Sequence, residues 1–205
     1  MENIILFLLL ILIVLIYFKN TNEKFITNEK SIDELYTSYY DTKFINKSKY
    51  NYILLLGFIK DSTLNYFKNK FPDATIYIYN EKNIEYPSLS DTPNSKIHIY
   101  NTYPYDLTVI NNFKNNNILF DIIICEGFIS NDNLKFILEY YYGMLKTDEG
   151  NIIIKNINNI SDVDTIIKSV NPLFTNIKEI KDFTDIISNL DTNTDPDTNN
   201  ILLFI

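Results

Sequence analysis

The chain opens on an unbroken apolar run, Ile4 to Phe18, that contains no charge, glycine or proline. As a helix it spans about 22 Å at 1.5 Å per residue. That is shorter than a hydrocarbon core of about 30 Å, so local thinning and the interfacial rings of Tyr17 and Phe18 have to absorb the mismatch. The run predicts an N-terminal membrane anchor over residues 1–19, a polar tether over 20–30 and one domain over 31–205. A cleavable signal peptide is the rival reading, but no positive charge precedes Ile4 and no small-x-small cleavage site follows Phe18.

Beyond the tether the pattern becomes an alternation. Ser31-Ile32-Asp33-Glu34 reads as a capping box opening a helix through Leu35, Tyr39 and Phe44. Short apolar or β-branched runs at Tyr52 to Leu56, Thr75 to Tyr79, Lys96 to Tyr100, Asp121 to Cys125 and Asn151 to Lys155 predict strands, each followed by a helix-like pattern. The helices are Ser62 to Phe71, with Leu64, Phe67 and Phe71 on one face; Asp106 to Lys114, capped by Asp106; Asn133 to Leu145; and Val163 to Val170. Such alternation implies an α/β domain with a mostly parallel sheet covered on both faces. Two final strands, Asn176 to Ile180 and Ile201 to Ile205, are separated by the Asp/Thr/Asn-rich stretch Asp191 to Asn200 with no helix between them. They predict a seven-stranded sheet whose last strand is antiparallel.

Composition narrows the class. At 46% hydrophobic and 15% aromatic residues the chain is far from a disordered composition. A net charge of -8 and the absence of arginine exclude a phosphate-binding surface, so no nucleic-acid partner is expected. Cys125 and His98 are each the only residue of their kind, which excludes a disulfide framework and a zinc cluster; Cys125 reads as a buried strand thiol. Lys19, Lys24 and Lys30 follow the apolar run and none precedes it, which places the domain on the cytoplasmic side. The sequons Asn46-Lys47-Ser48 and Asn159-Ile160-Ser161 would suit a lumenal domain, but such triplets arise readily in an Asn-rich chain. Heavy use of Asn, Ile, Lys and Tyr without Arg, Gln or Trp fits an AT-rich genome such as that of a large DNA virus or a protist.

In parallel α/β sheets ligands bind beyond the carboxyl ends of the strands, and the loop after the first strand usually needs glycine to let the backbone approach. This singles out Gly57. The stretch Ile53-Leu54-Leu55-Leu56-Gly57-Phe58-Ile59-Lys60-Asp61-Ser62-Thr63-Leu64, with Lys70-Phe71-Pro72-Asp73-Ala74-Thr75-Ile76-Tyr77 after it, resembles the opening of class I S-adenosylmethionine-dependent methyltransferases, and more narrowly the macrocin and tetracenomycin sugar O-methyltransferase group. The likeness continues at Phe120-Asp121-Ile122-Ile123-Ile124-Cys125-Glu126-Gly127, where the family has a double-aspartate, glycine, serine, histidine signature. It continues again at Leu145-Lys146-Thr147-Asp148-Glu149-Gly150-Asn151-Ile152, where the family has Leu-Lys-Pro-Gly-Gly. The resemblance implies a Rossmann-like methyltransferase fold and, for any S-adenosylmethionine still bound, contacts from Gly57, Phe58, Asp61, Asn80 and Glu126.

The departures from the family bear on function. Leu55 stands where the family carries an acid, Asp61 and Ser62 where it carries loop glycines, and Asn80 where it carries the ribose-binding acid. In the double-aspartate signature the first acid is Cys125, the second Glu126 and the histidine position Ile129. Isoleucine cannot accept a proton, and His98, within the third strand, does not replace it. No catalytic residue and no metal site is therefore assigned. The expectation is a membrane-anchored, catalytically inactive methyltransferase-like module that has lost the cofactor and binds an unidentified protein partner or serves structurally. An active divergent O-methyltransferase, and a membrane or virion structural protein with an unrelated α/β domain, are the alternatives.

Overall fold

The computed structural model describes residues 32–45, 50–89, 96–127, 129–146, 150–157, 160–170, 179–182 and 201–205. The apolar run Ile4 to Phe18, the tether, Ser31 of the capping box, the sequon Asn46-Lys47-Ser48, Asn159 of the second sequon and the stretch Asp191 to Asn200 lie outside these residues. Among the described residues no helix is long and apolar enough to cross a membrane.

The elements are α1 (Ile32–Lys43), β1 (Tyr52–Gly57), α2 (Asp61–Lys70), β2 (Thr75–Asn80), β3 (Ile97–Tyr100), α3 (Leu107–Asn115), β4 (Ile122–Glu126), α4 (Asn131–Phe136), β5 (Asn151–Ile157), α5 (Ile160–Val170), β6 (Glu179–Asp182) and β7 (Ile201–Phe204). They build one sheet in the order β3-β2-β1-β4-β5-β7-β6. Parallel pairing joins β3, β2, β1, β4 and β5 only. The end of the chain reverses direction: β7 pairs antiparallel with both β5 and β6. The switch point, where the order turns from leftward to rightward, is between β1 and β4.

Three expectations need correction. The sixth strand, expected over Asn176 to Ile180, is described over Glu179–Asp182 and so reaches two residues further, its register set by β7 with Glu179 opposite Phe204 and Asp182 opposite Ile201, while Asn176 to Lys178 lie outside the described residues. No α-helix follows β2 among the described residues; the polar stretch Glu81-Lys82-Asn83 leads instead to a single 3₁₀ turn at Pro87–Leu89. The helix after β4 starts at Asn131 rather than Asn133, with the Ser130 hydroxyl accepting from the Asn133 N–H. It then widens into a π turn at Ile137–Tyr141 before tightening at Tyr142–Met144. Ile137, Leu138, Tyr141 and Met144 are all buried along this segment.

The uninterrupted apolar strands are buried on both faces. Leu54, Leu56, Ile123, Cys125, Ile152 and Ile154 pack under α3, α4 and α5, whereas Ile53, Leu55, Ile76, Ile78, Ile124 and Ile153 face α1 and α2. Burying each such side chain stabilises by about 1.5–3 kcal/mol. The helices α1 and α2 run side by side in the same direction: the Tyr40 and Phe67 rings lie 5.5 Å apart, Phe44 and Phe71 6.2 Å apart, and Tyr36 shares a cleft with Ser62 and Thr63. Because α2 starts at the carboxyl end of β1, α1 starts there too.

Candidate ligand site at the carboxyl ends of the strands

Register brings three of the sequence-predicted residues into one row, with Asn80 opposite Gly57 on one side and Glu126 opposite it on the other. Gly57 has φ +99°, and a Cβ there would run into the carbonyl oxygen of Glu126. Glycine is thus required by both conformation and space. The Phe58 N–H donates to that same carbonyl at 2.7 Å, while its ring is 52% exposed. Asp61 is the first residue of α2, where a carboxylate suits the positive end of the helix. The positions of the two family glycines, Asp61 and Ser62, are therefore in a helical turn. Leu55 is buried in the apolar layer under α1 and α2.

Asn80 is buried, and its Oδ1 accepts from the Tyr86 hydroxyl at 2.9 Å. Burial pushes the Tyr86 phenol up to about 12, so it is protonated near neutral pH and able to donate. The same hydroxyl lies 3.2 Å from the Ile59 carbonyl, tying the β2–β3 connection to the loop after β1. Glu126 forms an ion pair with Lys155, Nζ to Oε1 2.5 Å, and both side chains are nearly sealed from solvent at 4% and 3% exposure. The Lys155 ammonium sits 4.0 Å from the centre of the Tyr36 ring on α1, a cation–π contact that closes the pair from above. Two polar atoms of this row, Nδ2 of Asn80 and Oε2 of Glu126, have no hydrogen-bond partner among the described residues.

Lys155, Tyr86 and Tyr105 were not singled out from the sequence. Lys155 carried a signal: a lysine ending the apolar run Ile152-Ile153-Ile154 needs a buried counter-charge. Tyr105, from the loop before α3, places its hydroxyl 3.4 Å from where a Gly57 Cβ would stand, and burial raises its phenol well above the usual value.

The remaining candidates are elsewhere. Cys125 points to the opposite face among α3 and α4, and burial holds its thiol protonated. Ile129 is buried and bridges the backbone of Ile157. His98 stacks on Tyr77 at 5.0 Å in the edge strand, with β2 and β1 between it and Glu126. Among the described residues no group of three or more His, Cys, Asp or Glu can hold a metal ion. The cleft lined by Tyr36, Thr37, Tyr40, Ser62, Thr63 and Lys155 has a volume of about 10 Å³, room for one water.

No protein-family model and no curated protein matches the chain. Solved structures do. An O-methyltransferase of the trans-AT PKS multienzyme of Brevibacillus brevis, in complex with S-adenosyl-L-homocysteine, aligns over 94% of this chain and 77% of its own at a TM-score of 0.59 and 12% identity. The plantazolicin methyltransferase BpumL, in complex with a pentazolic desmethylPZN analog and SAH, aligns over 91% and 89% at 0.54 and 16%. The mycinamycin-pathway methyltransferase MycE, with Mg, SAH and mycinamycin VI, aligns over 65% of this chain at 0.51 and 17%. This chain spans 35% of MycE's length. At these identities the likeness concerns architecture alone: the domain has the class I methyltransferase fold.

Proposed function

We propose that this chain is a methyltransferase-fold protein whose cofactor end is filled by its own side chains, and that it serves at a membrane, anchored by residues 4–18, as a binding or structural module. The observation that carries this reading is the Glu126–Lys155 pair under Tyr36. Asp61 and Ser62 give side chains where the family has none, Asn80 offers an amide already engaged by Tyr86, and Ile129 cannot move a proton. These residues do not fit S-adenosylmethionine. Gly57 keeps its glycine because the Glu126 carbonyl is so close.

An active, divergent O-methyltransferase is the second reading. It is favoured by a buried donor, Asn80 Nδ2, and a buried acceptor, Glu126 Oε2, on either side of Gly57 without partners among the described residues. Thermal unfolding with S-adenosylhomocysteine separates the two. A ligand present at a hundred times its Kd stabilises by about 2.7 kcal/mol, which raises Tm by several degrees in a domain of this size. The first reading expects no shift at about 1 mM ligand, and a clear upward shift supports the second.

A further inference from the structure

We infer that the carboxyl rim of the sheet is a membrane-docking surface that beds Phe58, Tyr100, Tyr103 and Leu107 into the interface of a zwitterionic bilayer; this rests on the reading of residues 4–18 as an anchor. Among the described residues these four are among the few large apolar side chains left exposed, at 52%, 37%, 50% and 48%. All four belong to one end of the molecule: Phe58 follows β1, Tyr100 ends β3, Tyr103 lies in the loop after β3 and Leu107 opens α3. Of the other exposed large apolar residues, Ile45 and Leu119 lie at the opposite end, beyond α1 and before β4, and Ile99 is inside the edge strand.

The length of chain before the described residues bears on what this rim meets. The chain enters the domain at Ile32, and α1 begins at the carboxyl end of the strands beside the first turn of α2. Between Phe18 and Ile32 there are thirteen residues, at most about 45 Å of chain. A tether so short holds the rim at an effective concentration in the millimolar range relative to the bilayer. Weak insertion of a few rings therefore suffices. Three of the four side chains are aromatic, the residue class that settles at the headgroup level. Glu81 and Asp132 lie near Tyr103, and Asp106 adjoins Leu107. Lys60 and Lys82 lie at the same end, so the rim mixes both signs without the basic cluster that an anionic membrane would call for, and on a chain of net charge -8 it fits a zwitterionic one.

The chain contains no tryptophan, so a single introduced indole reports its own surroundings. The full-length variants Phe58→Trp, Leu107→Trp and, as the control at the other end, Leu119→Trp are reconstituted into phosphatidylcholine vesicles with brominated acyl chains. Emission from Phe58→Trp and Leu107→Trp is expected to fall about twofold against unbrominated vesicles, as for a ring seated about 5–10 Å into the headgroup boundary. Leu119→Trp should not change. Vesicle-bound protein in which neither rim indole is quenched more than the control overturns the docking surface and leaves the anchor standing. So does a blue-shifted rim indole that bromine does not reach, which means cover by a second copy or another segment. Protein that fails to float with the vesicles overturns the anchor, and the docking surface with it. Should Phe58→Trp not fold, Leu107→Trp against Leu119→Trp decides alone.

Discussion

Glu126 and Lys155 meet at the carboxyl ends of neighbouring strands, 2.5 Å apart and almost wholly buried, with the Tyr36 ring over the ammonium. Removing the lysine leaves the Glu126 carboxylate in an apolar layer without a partner among the described residues, which costs about 3–5 kcal/mol; replacing both with neutral side chains of similar volume is often close to neutral. Lys155→Met should lower urea-unfolding stability by that amount, and the double variant with Glu126→Gln should recover most of it. A Lys155→Met variant as stable as the parent would show that the pair does not close the site.

Gly57 and Gly143 make an internal contrast. At Gly57 the positive φ alone costs a side chain about 1–3 kcal/mol, and a Cβ also meets the Glu126 backbone. At Gly143 nothing lies within 4 Å of an added Cβ. Gly57→Ala is expected to lose at least about 2 kcal/mol, and Gly143→Ala to be neutral or to gain up to about 1 kcal/mol. Chemical denaturation of the two variants checks both.

Tyr105, Tyr141 and Cys125 in the core under α3 and α4, and Tyr86 in the core on the other face of the sheet, predict sensitivity to alkali. Burial raises each group above its unfolded value. A raised folded value stabilises fully below the unfolded pKa, about 8.5 for a thiol and 10 for a phenol, and the stabilisation is lost as pH climbs through the folded value. Stability in urea should therefore be level with respect to these groups up to about pH 8 and fall steeply by about pH 11. Phenolate absorbance should reach all sixteen tyrosines only on unfolding. Ionisation of all sixteen in a still-folded chain would contradict this.

For the anchor, the fifteen residues Ile4 to Phe18 are all apolar or aromatic. At about 1.5–3 kcal/mol for each buried side chain, they exceed what peripheral adsorption requires. The full-length protein should stay with membranes through an alkaline wash, and a version lacking residues 1–19 should be released. Extraction of the full-length protein by that wash would remove the membrane half of the reading.

The parallel sheet was legible because Ile53-Leu54-Leu55-Leu56 and Ile122-Ile123-Ile124 are too apolar for anything but strands buried on both faces. The Asp106 cap was legible because its oxygen serves an N–H two residues away, at Thr108. What could not be read depends on long-range pairing. Glu126 looked like the remnant of a metal-binding acid; its partner stands twenty-nine residues further on, and only the register of β4 against β5 brings them together. The π turn at Ile137–Tyr141 was hidden too, since the sequence Ile137-Leu138-Glu139-Tyr140-Tyr141 carries the ordinary pattern of an amphipathic α-helix. Asn80 reads as either a turn residue or a ligand group until Tyr86 is seen donating to it.

The central claim, that the cofactor end is filled from within, is tested most directly by calorimetric titration of the detergent-solubilised full-length protein with S-adenosylmethionine and S-adenosylhomocysteine. Loss of the two loop glycines at Asp61 and Ser62 and of the ribose acid at Asn80 removes three contributions. At about 1–3 kcal/mol apiece they weaken a micromolar site to about millimolar or beyond. The account predicts no saturable heat with either compound at concentrations up to about 1 mM. A dissociation constant in the low micromolar range for either would contradict it and make the chain a working methyltransferase candidate.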